Sequence, residues 1–177
     1  TDLMHNFTVV VGPTDDPAKI AGLTDLKDVQ KRIFEAKAPY LSRGDGGGMN
    51  ILELKIWKDL HVDPKGEKWY QVSSKFMLAS LLDADQKRQY HMLDSSTWAL
   101  HKTKVKNLKL LVKGPANEYE MCLVNIAKHP HLKYNQNLAE KFYDFLVGNE
   151  GQKIIAEFGV KIYGEPFYYA SAIKNPK

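Results

Sequence analysis

The chain has 177 residues, 44% of them apolar, and its 25 basic and 21 acidic side chains leave a formal charge of +4. That length suffices for one large domain or two small lobes with a real core. The lysines are scattered among acids and form no basic stripe, so no nucleic-acid partner is expected; no apolar run approaches bilayer length, so no direct membrane insertion is expected either.

Strand and helix signals alternate along the chain. Phe7 to Val11 is a β-branched run stopped by Gly12-Pro13. Thr24 can cap a helix whose apolar face is Leu26, Val29, Ile33 and Phe34. Pro39 precedes a short strand, Tyr40-Leu41. The next apolar face, Leu52, Ile56, Trp57 and Leu60, predicts a helix over 51–60. After a turn at Pro64-Lys65-Gly66 come a strand at Trp69–Val72, a buried helix at Lys75–Ala84 and a strand at Tyr90–Leu93. The capping residues Asp94, Ser95, Ser96 and Thr97 introduce a short helix through Lys102. Leu108–Val112 and Tyr119–Ile126 read as two strands separated by Gly114-Pro115. Helices at Asn137–Leu146 and at Glu150–Phe158, the second capped by Asn149 and stopped by Gly159, end the pattern. Alternating strands and helices indicate an α/β fold. Trp57, Trp69 and Trp98 are expected in the core, although Trp69-Tyr70 could border a cleft. The single cysteine, Cys122, lies in the apolar run Met121–Val124 and is expected to be buried and inert. No stretch reads as a signal peptide, and the start at Thr1 without a methionine predicts upstream processing or trimming.

The run Ser42-Arg43-Gly44-Asp45-Gly46-Gly47-Gly48-Met49-Asn50 stands apart. It sets one permanent cation beside a glycine-rich turn at a predicted helix start. Free backbone N–H groups at a helix N-terminus favour anions. Arginine adds a planar charged fork, and glycines let amides approach a ligand closely. The turn is therefore a candidate anion site; the plain alternative is a surface loop whose arginine is solvated or ion-paired with Asp45 or Glu53. Ser42 could donate a hydroxyl to a ligand or satisfy the strand end. Asp45 reads as a turn-forming or supporting residue, since a carboxylate repels an anion. Ser95, Ser96 and Thr97 cap a helix or donate hydroxyls. His129 and His131 in Lys128-His129-Pro130-His131 hint at a metal pair, but Pro130 makes an i, i+2 chelate awkward and no third ligand is near. They read as a surface loop, and no metal site is expected.

Three segments resemble one known family. Phe7-Thr8-Val9-Val10-Val11-Gly12-Pro13 with Asp16-Pro17 is similar to the FVIVGP…DDP hinge strand of tungstate/molybdate-type ABC transporter substrate-binding proteins. Ser42-Arg43-Gly44-Asp45 followed by Glu53 and Trp57 resembles their SRGDxSGTHxxExxLW signature. Phe142–Leu146, Glu150–Ile155 and Phe158-Gly159 resemble the FxDFLxSxEGQxxIxxFG helices of the wider class. The resemblance runs over nearly the whole chain. It implies the two-lobed type II periplasmic-binding fold: a mixed sheet flanked by helices, hinge strands linking two lobes and an oxyanion held in the cleft. On it, residues 12–113 would be the second lobe with the anion-binding turn. Residues 1–11 and 114–177 would be the hinge strands and the returning part of a first lobe. The family's N-terminal segment, with its Thr/Ser-rich ligand loop, precedes the hinge strand at which this chain starts, so the first lobe is expected to be incomplete. The apolar residues of the last helices would then need a cover from another copy or from an N-terminal segment.

Two departures bear on the ligand. The family's Ser-Gly-Thr-His stands here as Gly47-Gly48-Met49-Asn50, and its TDRxT as Leu93-Asp94-Ser95-Ser96-Thr97, so hydroxyl donors and a second arginine are replaced. A weaker oxyanion or a small organic acid becomes the more natural ligand. The resemblance implies a periplasmic or extracellular solute-binding protein that captures a small anion for an ABC importer and its permease. Its ligand-binding residues would be Ser42, Arg43, Gly46, Gly47, Gly48, Met49, Asn50, Ser95 and Thr97. The alternative is a sensory or regulatory ligand-binding domain of the same fold, like the effector domains of LysR-type regulators, binding a small organic anion. No nucleophile–base pair or paired carboxylates are evident, so no enzyme activity and no cofactor are expected; a homo-oligomer is compatible with the pattern.

Overall fold

A computed structural model describes residues 1–172. The chain forms two compact units. One is Phe7–Ala116; the other combines Thr1–Asn6 with the residues from Asn117 on. Two long strands, β1 (Asp2–Pro13) and β5 (Leu108–Glu120), each run from one unit into the other.

In the larger unit the elements follow as α1 (Leu26–Glu35), β2 (Tyr40–Ser42), α2 (Gly48–Asp59), β3 (Tyr70–Val72), α3 (Met77–Lys87), β4 (His91–Asp94) and α4 (Ser95–His101). β1 lies between β4 and β5. It pairs antiparallel with β4, Val9 opposite Leu93 and Val11 opposite His91. β2 and β3 pair in parallel, and a single bridge joins Tyr40 to Tyr90. Successive residues of a strand point to opposite faces, and here both faces are covered. Val10 enters one apolar cluster with Ile20, Val29, Ile33 and Trp57. Val9 and Val11 enter a second with Leu41, Leu81 and Leu93. This explains why Val9, Val10 and Val11 follow one another without a polar residue between them.

The smaller unit holds α5 (Gln136–Val147), α6 (Asn149–Glu157), a short α7 (Val160–Tyr163) and β6 (Tyr169–Ala170), the last two not foreseen. β6 pairs with β1 at Met4 and His5. Gln152 clamps this unit: its Nε2 donates to Leu3 O (3.0 Å) and Leu146 O (2.9 Å), and its Oε1 accepts from Ala172 N–H (2.9 Å). Apolar residues of this unit remain open, with Leu138 and Phe142 on α5 63% and 57% exposed and Phe158, just past α6, 60% exposed.

Several expectations are corrected. Gly114-Pro115 does not divide two strands; β5 passes through it. β5 is the outer neighbour of β1 in the strand order β4-β1-β5, where a residue without an N–H is tolerated. The strand expected to reach Ile126 stops at Glu120, because backbone pairing ends where Met121 N–H donates to Thr1 O (2.8 Å). Cys122, just beyond, is exposed rather than buried. The cap of α1 is Asp25, not Thr24: its carboxylate accepts from Lys27 N–H at 2.7 Å. Asn149 is the first residue of α6, and Gly148 is its cap. α2 begins at Gly48, three residues ahead of the expected start, so the glycine turn and the helix are continuous. Trp57 and Trp69 are buried; Trp98 is only half-buried.

Candidate anion-binding site

The site is built where β2 ends and α2 begins. Gly44 makes the first bend with φ +62°, and a Cβ there would stand 2.2 Å from Val72 Cγ1 and 2.7 Å from Ser73 O. Only glycine fits both the dihedral and the space. Gly46 repeats the left-handed conformation at φ +69°, in open space. Gly47 is then the N-cap of α2 and has no side chain to cap it.

Beneath the turn lies a buried hydrogen-bond network centred on Glu53, 2% exposed. Ser42 Oγ donates to Glu53 Oε2 at 2.8 Å; Trp57 Nε1 and Tyr70 OH both donate to Oε1, at 3.1 and 2.7 Å. Asn50 Nδ2 donates to Ser42 Oγ (3.1 Å), while Asn50 Oδ1 accepts from Gly46 N–H (3.1 Å). One chain of bonds therefore links the helix interior to the turn. Burial pushes the Glu53 carboxyl above its usual range, against the pull of its Tyr70, Ser42, Trp57 and Asn50 partners. Burial, then the Glu53 charge, raises the Tyr70 phenol.

Arg43 is 9% exposed. Its Nη2 donates to Asp45, whose other oxygen accepts from Gly47 N–H at 3.0 Å. Burial opposes ionisation of Asp45, but the Gly47 N–H and Arg43 together hold its carboxyl below the usual range. Arg43 Nε is buried without a hydrogen-bond partner. His91, on β4, is 1% exposed; its Nδ1 donates to Leu41 O at 2.7 Å and its Nε2 is also without a partner. Burial pushes its pKa down to about 4, and the nearby Arg43 charge adds to the shift, so the ring is neutral at pH 7.

The structure thus brings Ser42, Gly46 and Asn50 into the Glu53 network, and joins Arg43 and Gly47 through Asp45 in the adjoining turn. Gly48 opens α2, and Met49 is buried on its first turn. The carboxylate bonded to Arg43 is Asp45, one of the two ion-pair partners weighed from the sequence. Ser95 and Thr97 belong to a second cluster around Asp94, the cap of α4. Thr97 N–H and Oγ1 donate to Asp94 at 2.9 and 2.8 Å, Ser96 Oγ donates to it as well, and Ser95 Oγ accepts from Phe7 N–H (3.1 Å). The Thr97 hydroxyl proton is thereby committed to a cap. His91 carries no motif and had no sequence signal; Tyr70 was legible only as a residue that could border a cleft, and Glu53 only through the family signature and as a possible ion-pair partner of Arg43. Beside the network a cavity of about 500 Å³ is lined by Ser42, Gly44, Asn50, Trp57, Tyr70 and Val72. His129 and His131 are exposed, and among the described residues no group of three or more His, Cys, Asp or Glu side chains is placed to hold a metal.

No family model matches the chain. A tungstate-binding protein TupA from Desulfovibrio alaskensis G20 superposes with a TM-score of 0.83 at 32% identity, over 98% of this chain and 70% of that one. The tungstate ABC transporter structure from Geobacter sulfurreducens gives 0.74 at 37% identity, over 89% and 67%. The chain belongs to the tungstate-type family of ABC transporter substrate-binding proteins. Among curated relatives, the tungstate-binding protein TupA of Peptoclostridium acidaminophilum is 29% identical over 98% of this chain and 61% of its own length; a Haloferax volcanii relative is 36% identical over 99% and 52%. The chain thus spans 52% to 61% of the length of these curated relatives. The α/β periplasmic-binding fold implied by the three sequence segments is the fold found. These relatives are named for binding, not for catalysis.

Proposed function

We propose that this chain carries the anion-binding turn of a solute-binding protein that captures a small oxyanion, tungstate-like in charge and shape, for an ABC importer. The observation that carries the reading is the buried Arg43 guanidinium at the glycine-built N-terminus of α2, in a chain of this family. A helix start offers backbone N–H donors and a favourable dipole, and arginine offers a fixed charge, so both favour an oxyanion over a neutral solute. The Glu53 network holds the turn and the helix in register, which leaves less ordering for the ligand to impose. Met49 and Asn50, standing where the family carries Thr-His, shift the preference toward a weaker oxyanion. On this reading the protein works outside the cytoplasmic membrane and delivers its anion to a permease partner. Among the described residues no helix is long and apolar enough to cross a membrane.

The test is a thermal-shift and calorimetric screen of the chain with tungstate, molybdate, sulfate, phosphate and small carboxylates. A ligand that binds only the folded state adds about 2.7 kcal/mol at a hundredfold excess over Kd. Arg43→Ala should fold and lose the response. A full response in that variant removes Arg43 from the site and defeats the reading.

A further inference from the structure

The guanidinium, a carboxylate and the start of α2 converge on one point. A Cβ built on Gly47 would lie 3.2 Å from Asp45 Oδ1 and 3.5 Å from Arg43 Nη2. There Asp45 already behaves as a bound anion: one oxygen takes Arg43 Nη2, the other takes the Gly47 N–H. Its side chain is 15% exposed, turned inward from a turn whose main chain faces solvent. The match is incomplete, because two carboxylate oxygens serve two donors while Arg43 Nε stays buried and unpartnered. Burying such a donor without an acceptor is costly. An oxyanion with three or four oxygens can satisfy Nη2, Nε and the Gly47 N–H together. Asp45 is flanked by Gly44 and Gly46, both at positive φ, so the residue sits between two positions where the backbone has alternative conformations at little cost.

We propose that Asp45 is an intramolecular competitor for the anion site, and that ligand binding is an exchange in which the anion takes Arg43 and the Gly47 N–H while the Asp45 carboxylate moves out to solvent. The proposal rests on the anion-binding reading above. Its consequence is quantitative: the affinity of the free chain is reduced by the fraction of molecules in which Asp45 holds the site. Asp45 then sets the threshold of affinity an anion must exceed, and neutralising it lowers that threshold for every oxyanion that reaches Arg43.

The experiment compares the chain with Asp45→Asn, Asp45→Ala and Arg43→Ala, titrated with tungstate and with sulfate by calorimetry. Asparagine keeps an oxygen for the Gly47 N–H, so the turn is retained, and melting curves verify the fold of each variant. The expected result is tighter binding in Asp45→Asn by about tenfold or more, the scale of one charge-assisted hydrogen bond. In the unaltered chain, tungstate should also shift the Asp45 carboxyl carbon and Gly47 amide resonances together, as the two part. Binding seen in Asp45→Asn but too weak to detect in the unaltered chain also supports the exchange. Unchanged or weaker binding in both Asp45 variants, with binding still lost in Arg43→Ala, overturns the exchange and leaves the anion reading standing. Binding that survives in Arg43→Ala, or no binding by any folded variant, overturns both.

Discussion

Tyr70 OH donates to Glu53 Oε1 at 2.7 Å across seventeen residues of sequence, a buried bond that joins β3 to the middle of α2. Three donors from three parts of the chain end on this one carboxylate, and it in turn holds Ser42 at the end of β2. The carboxylate is therefore a structural post beneath the Arg43 turn.

Replacing Glu53 by Gln should destabilise the fold by about 1–3 kcal/mol, the cost of leaving buried hydrogen-bond groups unsatisfied. Glutamine offers one acceptor oxygen and two unwanted protons to Ser42, Trp57 and Tyr70, all donors. Urea denaturation measures it. An unchanged midpoint would mean that water replaces these bonds.

His91 predicts an acid-sensitive stability. Its folded pKa, about 4, lies below the usual 6.5. Between those values the unfolded chain binds the proton that the folded chain refuses, so the group's contribution to stability is full above pH 6.5 and is lost as pH falls toward 4. The slope is roughly 1.4 kcal/mol per pH unit at most. Glu53, with a raised carboxyl, acts in the opposite direction above its unfolded pKa. The difference in unfolding free energy between the unaltered chain and His91→Gln from pH 4.5 to 6.5 isolates the histidine. A flat difference would show that the ring is accessible.

Gly44→Ala and Gly46→Ala form a matched pair. Both residues have positive φ, but only Gly44 has neighbours in the way of a Cβ. Gly46→Ala should cost about 1–2 kcal/mol from the left-handed backbone alone. Gly44→Ala should cost clearly more, because Val72 and the Ser73 carbonyl must also move. Equal melting temperatures for the two variants would contradict the packing described at Gly44.

The open face of α5 and α6 should bind a hydrophobic dye. Leu138, Phe142 and Phe158 are all more than half exposed, and exposed apolar groups of this kind report as dye fluorescence. Leu138→Lys with Phe142→Lys should reduce the signal with a change in stability within about 0.5 kcal/mol, as for surface positions. A dye signal unaffected by both changes would place the apolar surface elsewhere.

Most of the elements were legible in the sequence, because they depend on neighbours a few residues apart; α7 and β6 were not. The β-branched run of β1, the apolar face of α1 and the glycines before α2 each state a local preference, and each element formed within a few residues of its expected place. Arg43 and the glycine turn were legible for the same reason. What the sequence left open was every choice between partners. Whether Gly114-Pro115 breaks a strand depends on whether that strand needs its N–H groups, which the position of β5 outside β1 decides. Whether Cys122 is buried depends on how far backbone pairing continues past Glu120. Arg43 had two candidate carboxylates in the segment that follows it; the left-handed bends at Gly44 and Gly46 turn Asp45 back onto it, while Glu53 is claimed by Ser42, Trp57 and Tyr70. His91 carries no local signal at all, since its burial comes from a strand pairing with β1 and a carbonyl on β2. Local backbone preference is encoded residue by residue; the assignment of donors to acceptors across tens of residues is fixed only when the chain packs.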